Sequence, residues 1–446
     1  MDSKASGADL TRREVLKGAA AMSVAALASD IGTRAFAAGS DIIKVGLVAC
    51  GGRGTGALSQ CVQGSGQPGM VAWAVGDVFI DKARNFGKGL SKWGEKAKIE
   101  DRMFGGIDNY KQVVDSGIDL LVTAAPPGWR PYHVSYAIEK GKHVFMEKPV
   151  SVDAKGTNML LAAAKVADEK KLSVVTGTQR RYQAGYQSTM KLIHDGVIGD
   201  LIGGQFGWRG GGIWERKDHR KGDNGLNLKF QLANWYHFNW LCGDQIVEQH
   251  VHNLDVMMWC FQDVHPTDAY GVGYRVEGAK GGGRPDYSKM YSGMSVEYTF
   301  PNGAKCMSWS GHGAGIDGYG GERIVGTKGT SNCSGGVSLY GKEKVETPKI
   351  TPLHGDPYVA EHIALIQAIR AGKPINETKR IAESSFVAVM GREACYSGKR
   401  VNWDSLLKSD FSLMPPAELL DIEKDPEIPV PDVAVPGIYK LPTVKK

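Results

Sequence analysis

An apolar run, Ile42–Ala49 (IIKVGLVA), ends in Cys50-Gly51-Gly52-Arg53-Gly54-Thr55-Gly56 and then enters a helical stretch. Few patterns restrict a fold more. Glycines between a strand and a helix let the backbone approach a pyrophosphate, which rests on the N–H groups of the helix N-terminus. The match to G-x-G-x-x-G is imperfect, because Ala49 stands at the first glycine position while Gly51 and Gly54 are in register. Such a fingerprint is weak alone and gains from context. Met70–Val75 is a second strand with Asp77 beyond its end, and Asp119–Ala124, His143–Glu147 and Leu172–Thr176 are further apolar strands. Helices over Pro131–Gly141 and from about Asp153 alternate with them. This alternation implies an α/β, doubly wound parallel sheet. Ligands of such sheets lie beyond the strand carboxyl ends, where Cys50–Gly54, Asp77, Ala125-Pro126 and Glu147-Lys148 fall. An acid at Asp77 accepts from adenosine ribose hydroxyls and repels a 2′-phosphate, so the expected cofactor is NAD(H) and not NADP.

A second stretch, Gly243–Trp259 (GDQIVEQHVHNLDVMMW), reads as one helix. At about 100° per residue, Glu248, His252, Asp255 and Trp259 share a face and His250 points away. An imidazole with a carboxylate one turn before it and another one turn after is a proton-transfer arrangement. It titrates nearest neutral pH, and flanking carboxylates fix its tautomer and stabilise its charged form. Taken alone, the stretch reads equally well as a buried helix with an inert, hydrogen-bonded histidine.

A length of 446 residues exceeds one typical core and indicates two domains. The formal net charge of +6 is small for that length, and no Lys/Arg run marks a nucleic-acid surface. Residues 1–37 read as a leader: Thr11-Arg12-Arg13-Glu14-Val15-Leu16-Lys17 resembles the twin-arginine export motif, a modest apolar stretch Gly18–Ala28 follows, and Ala35-Phe36-Ala37 offers a cleavage site. No run approaches the ~20 apolar residues of a membrane span, so an exported, periplasmic protein is expected. Seven cysteines, an odd count without C-x-x-C, give no disulfide framework, and no metal site is expected.

The run Gly141-Lys142-His143-Val144-Phe145-Met146 leads into Glu147-Lys148-Pro149, and with Pro126-Pro127-Gly128-Trp129-Arg130 and Gly177-Thr178-Gln179-Arg180-Arg181-Tyr182 it resembles the Gfo/Idh/MocA family, typified by glucose–fructose oxidoreductase and inositol dehydrogenase. The resemblance runs from about Ile42 to Trp403. It implies that Lys148 lies beside the nicotinamide and hydrogen-bonds the reacting hydroxyl, and that Gln179 joins the cofactor contacts. Family members usually read D-x-G-x-H-x-x-D in the central helix, with the histidine as general base. Here Glu248, His250, His252 and Asp255 occupy those positions, so the carboxylate is lengthened and a histidine replaces the glycine.

The implied organisation is a leader (1–37), a Rossmann domain (38–177), an α+β domain on an open mixed sheet (178–350), two helices returning to the Rossmann domain (351–403) and a Pro-rich C-terminal arm (404–446). That arm is either wrapped on a surface or disordered. Strands are expected at Leu201–Trp208, Ala269–Val276, Met294–Phe300, Lys305–Gly311 and Arg323–Gly326, with a hairpin turn at Pro301-Asn302-Gly303. Arg180, Trp208, Trp235 and His250 are candidate substrate contacts, since aromatic faces beside polar groups suit a sugar. The expected activity is hydride transfer between a sugar, glycoside or cyclic polyol and a tightly bound nicotinamide cofactor, in a homo-oligomer. An NAD-dependent glycosidase using transient oxidation is the alternative, and a non-catalytic sugar-binding protein is a third reading.

Overall fold

The computed structural model describes residues 42–222, 225–278, 284–341 and 344–444. The leader therefore lies outside the described residues. Among those described, six parallel strands form the first sheet: β1 (Ile43–Val48), β2 (Met70–Gly76), β3 (Met103–Phe104), β4 (Leu120–Thr123), β5 (His143–Met146) and β6 (Val174–Thr176). Their order, β3-β2-β1-β4-β5-β6, is the doubly wound one. The strands are apolar throughout because both faces are covered. On one side Leu120, Val122, Phe145 and Val175 pack with Leu58 and with Leu365, Ile366 and Ile369 of the helix Pro357–Ala371. On the other, Leu121, Val144, Met146 and Val174 pack with Ile138 and Leu160. Strand order reverses between β1 and β4, which opens a crevice beyond their carboxyl ends.

The second sheet has eight strands among the described residues: β7 (Leu201–Gly210), β8 (Asp268–Tyr274), β9 (Gly293–Thr299), β10 (Lys305–His312), β11 (Tyr319–Gly326), β12 (Gly329–Ser331), β13 (Val337–Leu339) and β14 (Val401–Asn402). Their order is β13-β12-β11-β7-β10-β9-β8-β14, antiparallel except where β7 runs parallel to β10. The turn Pro301-Asn302-Gly303 joins β9 to β10, with Gly303 at φ 83°. One face is buried: Phe206, Val296, Tyr298 and Cys306 pack under Met257 and Met258 of the helix Val251–Cys260 and under Phe386 and Val389 of the helix Thr378–Ser397. The other face leaves Tyr270, Val272, Tyr274 and Met307 exposed.

One of the two C-terminal helices differs from expectation. Pro357–Ala371 packs on the Rossmann sheet, but Thr378–Ser397 straddles both cores. Its Ile381 and Ala382 join the first, while Phe386–Met390 and Ala394 join the second. A helix buried over most of its circumference has no single apolar stripe to reveal which layer it serves.

The C-terminal arm wraps the surface. The Asp425 carboxylate accepts from Asn227 Nδ2 (2.8 Å) and from the Lys229 backbone N–H (2.7 Å), and the Ile428 N–H donates to the Leu226 carbonyl (3.1 Å). Farther on, Tyr291 donates to the Ala434 carbonyl (2.8 Å) and Tyr439 donates to Glu393 (2.9 Å).

Candidate active site

The glycine turn opens on the crevice. Ala49 holds φ 77°, a left-handed conformation at the position where the fingerprint has glycine. Gly54 has no alternative, since an added Cβ would lie 1.9 Å from the Ala49 carbonyl oxygen. Gly51 and Gly52 face open space, with nothing within 4 Å of an added Cβ. The first N–H groups of the helix Gly52–Ser59 are thus reachable by an anion, and the turn fits a pyrophosphate. Asp77 holds this turn in place: its carboxylate accepts from the Cys50 N–H (2.8 Å) and the Phe79 N–H (3.0 Å). It is buried, so structural capping accompanies the expected ribose role. Cys50 contributes backbone, because burial first and then the Asp77 charge push its thiol pKa far up.

Ala125 is buried and Pro126 partly exposed along the crevice wall. The same loop clamps the two halves: the Gly128 N–H donates to the Leu241 carbonyl (2.9 Å), and a Cβ on Gly128 would sit 2.0 Å from the Trp240 carbonyl. Gln179 carries a buried Oε1 without a hydrogen-bond partner among the described residues, an acceptor just beyond β6. Glu147 is buried behind the turn and pairs with Arg53 at 2.8 Å.

Lys148 and His252 are organised by one interaction. Lys148 Nζ donates to the Glu248 backbone carbonyl at 2.9 Å and lies 3.6 Å from the Glu248 carboxylate. In a continuous helix that carbonyl would accept from the His252 N–H. The expected single helix is therefore broken into Gln245–Glu248 and Val251–Cys260, and the His252 N–H is left with a 3.5 Å contact to the Gln249 carbonyl. His252 is partly exposed as a residue, and its ring makes no hydrogen bond among the described residues. Desolvation, helped by the Lys148 and Arg180 charges, holds its pKa well below the ordinary histidine value, so the imidazole is neutral and one ring nitrogen carries no proton.

Two expected site residues lie elsewhere. Asp255 does not orient His252. Its carboxylate is buried against Arg181 (2.8 Å), Arg380 (2.9 Å) and Ser384 (2.9 Å). Burial opposes its charge, but the two guanidinium groups win and set its pKa at about 2. His250 is fully buried and bonds Ser308 at 2.8 Å, which removes it from the substrate contacts. Burial keeps it neutral, with a pKa of about 3.

Around His252, Arg180 pairs with Glu322, which also accepts from Asn253 (2.7 Å) and Tyr186 (3.1 Å). Tyr236 is a neighbour that sequence reading missed. Its hydroxyl lies 3.2 Å from His312 Nε2 and beside the Glu248 carboxylate; burial and then that charge keep it protonated. His312 Nδ1 donates to the Gly211 carbonyl (2.7 Å), so Nε2 is the acceptor for Tyr236. Trp208 meets His312 edge to face at 4.8 Å, while Trp235 packs on Trp214 at 6.2 Å. Tyr236 and His312 carried no motif; only the pairing of distant strands and loops brings them here.

Residues 85–176 match the Gfo/Idh/MocA family model described as "Oxidoreductase family, NAD-binding Rossmann fold". Inositol 2-dehydrogenase of Klebsiella pneumoniae (strain 342) is 27% identical over 224 residues, 50% of this chain and 55% of that protein. Inositol 2-dehydrogenase of Burkholderia vietnamiensis is 31% identical over 160 residues, 35% of this chain and 43% of that protein. The alignments thus span about half the length of these relatives or less. Scyllo-inositol dehydrogenase from Lactobacillus casei, solved with NAD(H) and scyllo-inositol, superposes with a TM-score of 0.59 at 18% identity, covering 82% of this chain and 100% of that one. Aldose-aldose oxidoreductase from Caulobacter crescentus gives 0.60 at 15% identity, covering 81% and 99%. These likenesses show a shared fold, and the family match spans β3 to β6 of the first sheet.

The Asp255 cluster has a pH signature. Its folded pKa of about 2 lies below the ordinary 3.8, so its stabilisation is present above the ordinary value and lost as pH falls through the folded one. Asp255→Asn should cost about 3 kcal/mol near neutral pH, the scale for breaking a buried ion pair. Urea unfolding of both proteins should show that difference shrinking below about pH 4. A penalty unchanged in acid would rule out the charge as its source.

Proposed function

We propose that this chain is an exported, NAD(H)-dependent oxidoreductase of the Gfo/Idh/MocA family acting on a ring hydroxyl of a sugar, glycoside or cyclic polyol. The observation that carries this reading is the fixed Lys148 ammonium beside a neutral His252, unpartnered among the described residues, at the mouth of the crevice beyond the first sheet. The N–H groups at Gly51–Gly54 would hold the pyrophosphate, with Gln179 and the Ala125-Pro126 wall along the crevice. When bound, NAD supplies the acceptor for the carbon-bound hydride. His252 takes the hydroxyl proton on its ring nitrogen. Lys148 donates to the same oxygen and stabilises the negative charge that develops there. Glu248 holds Lys148 in place through its carbonyl and carboxylate. Trp208, Tyr236 and His312 present aromatic faces and polar edges suited to a sugar ring. The dehydrogenase names of the relatives support oxidoreduction over aglycone release.

His252→Ala should lower single-turnover reduction of bound NAD by about 10²–10⁴-fold while leaving NAD bound. Lys148→Ala should lower the rate and also weaken substrate binding. Rapid-mixing absorbance at the reduced-nicotinamide band reads both, and a near wild-type rate in His252→Ala would remove it as the base.

The twin-arginine motif supports export. Replacing Arg12 and Arg13 with lysines should retain the protein inside the cell, as read by fractionation. Undiminished export would exclude that route.

The open face of the second sheet supports a homo-oligomer, since Tyr270, Val272, Tyr274 and Met307 are exposed together on it. A second copy of the chain is the expected occupant. Val272→Glu should shift the sedimenting species toward monomer; a wild-type monomer at micromolar concentration would refute the assembly.

A further inference from the structure

Glu361 is an anomaly in the Rossmann half. It sits on the helix Pro357–Ala371, fully buried, and neither carboxyl oxygen has a hydrogen-bond partner among the described residues. Its surroundings are the back of the glycine turn. Arg53, the second residue of the helix Gly52–Ser59, reaches inward to pair with Glu147 at 2.8 Å, bonds Gln60, and lays its guanidinium over Tyr358 at 5.1 Å. Glu147 is held close against the chain on its far side, since a Cβ on Gly177 would lie 2.4 Å from its Oε2. Arg53 itself remains 37% exposed, with one side toward solvent beside the open turn.

We propose that Glu361 is a positioning residue for the nucleotide, taking over as the partner of Glu147 when Arg53 turns from that carboxylate to the pyrophosphate. The proposal rests on the NAD reading above. Two buried carboxylates served by one guanidinium cannot both keep their charge once it leaves. A protonated Glu361 solves this, because its O–H is a donor that Glu147 can accept. Burial first, and then the Glu147 charge, push the Glu361 carboxyl well above the usual range, against the opposing pull of Arg53. Glu377 and Asp356 add to the upward push. Glu377 is already engaged by Arg380 (3.1 Å), Tyr182 (3.1 Å) and the Thr176 N–H (2.8 Å). His362, next on the helix, is kept neutral by burial at about pKa 3 and supplies no cation.

The sign of the pH dependence follows. While Glu361 is an acid, Arg53 is free to reach the phosphates. As pH rises through the elevated pKa, Glu361 becomes a second buried anion that draws Arg53 inward, and nucleotide affinity falls. Glutamine at 361 keeps a neutral donor at every pH, whereas leucine is neutral without one.

Calorimetric titration of NAD into the cofactor-stripped full chain tests this without measuring turnover. Near neutral pH, Glu361→Gln should bind like wild type, and Glu361→Leu about tenfold more weakly, the scale for losing one buried hydrogen bond. On moving to about pH 9, Glu361→Gln should lose less affinity than wild type. Equal affinity of the Gln and Leu variants, or the same pH dependence in wild type and Glu361→Gln, would overturn the proposal. Should Glu361→Leu fail to fold by circular dichroism, the pH comparison decides. A wild-type chain that binds no NAD at either pH would instead refute the cofactor reading beneath it.

Discussion

Lys148 donates to a backbone carbonyl that a continuous helix would keep for itself, and the geometry of the site depends on that diversion. The hydrogen bond ties the carboxyl edge of the first sheet to the segment that presents His252. It also fixes a flexible four-carbon side chain at one point, so its ammonium stands in a defined place before any substrate arrives. The cost is one helical hydrogen bond, offset by a charge-assisted one. The Gly128–Leu241 contact repeats the same tie a short way along the crevice.

Beneath this sits a layer of ion pairs with a different task. Arg181, Arg380 and the partly exposed Asp263 form one group around the buried Asp255, and Arg180 with Glu322 forms another. Their carboxylates are spent on guanidinium groups, so none of them pairs with His252. What the ring feels instead is burial and the positive charge of Lys148 and Arg180. A histidine so placed resists protonation in the resting protein. The same cations would stabilise an oxygen that has just lost its proton.

The doubly wound sheet was legible because its strands are continuous apolar runs and the first turn needs glycine at Gly54 for plain steric reasons. The site was less so. Lys148 and Glu248 are 100 positions apart, and nothing in the even pattern from Gln245 to Cys260 signals that a distant lysine takes its carbonyl. The carboxylate at Asp255 has the right spacing for His252 and the wrong partners, because Arg181 and Arg380 hold it more strongly than a neutral ring could. Asp77 was visible as an acid at a strand end, but its bonds to the Cys50 and Phe79 N–H groups depend on how the turn folds back. The middle position of β7, between β10 and β11, is a topological fact with no local trace.

The wrapping arm makes assembly order matter. Asp425 closes on Asn227 from 198 positions away, and the Ala434 carbonyl receives Tyr291 from 143 away. During synthesis, Asn227 can bond locally to His219 and Lys221 but must wait for most of the remaining chain before Asp425 reaches it. The second half therefore reaches its final packing late, after translation has passed the arm, and a chain interrupted before Asp425 leaves the ribosome with that interior still open to water.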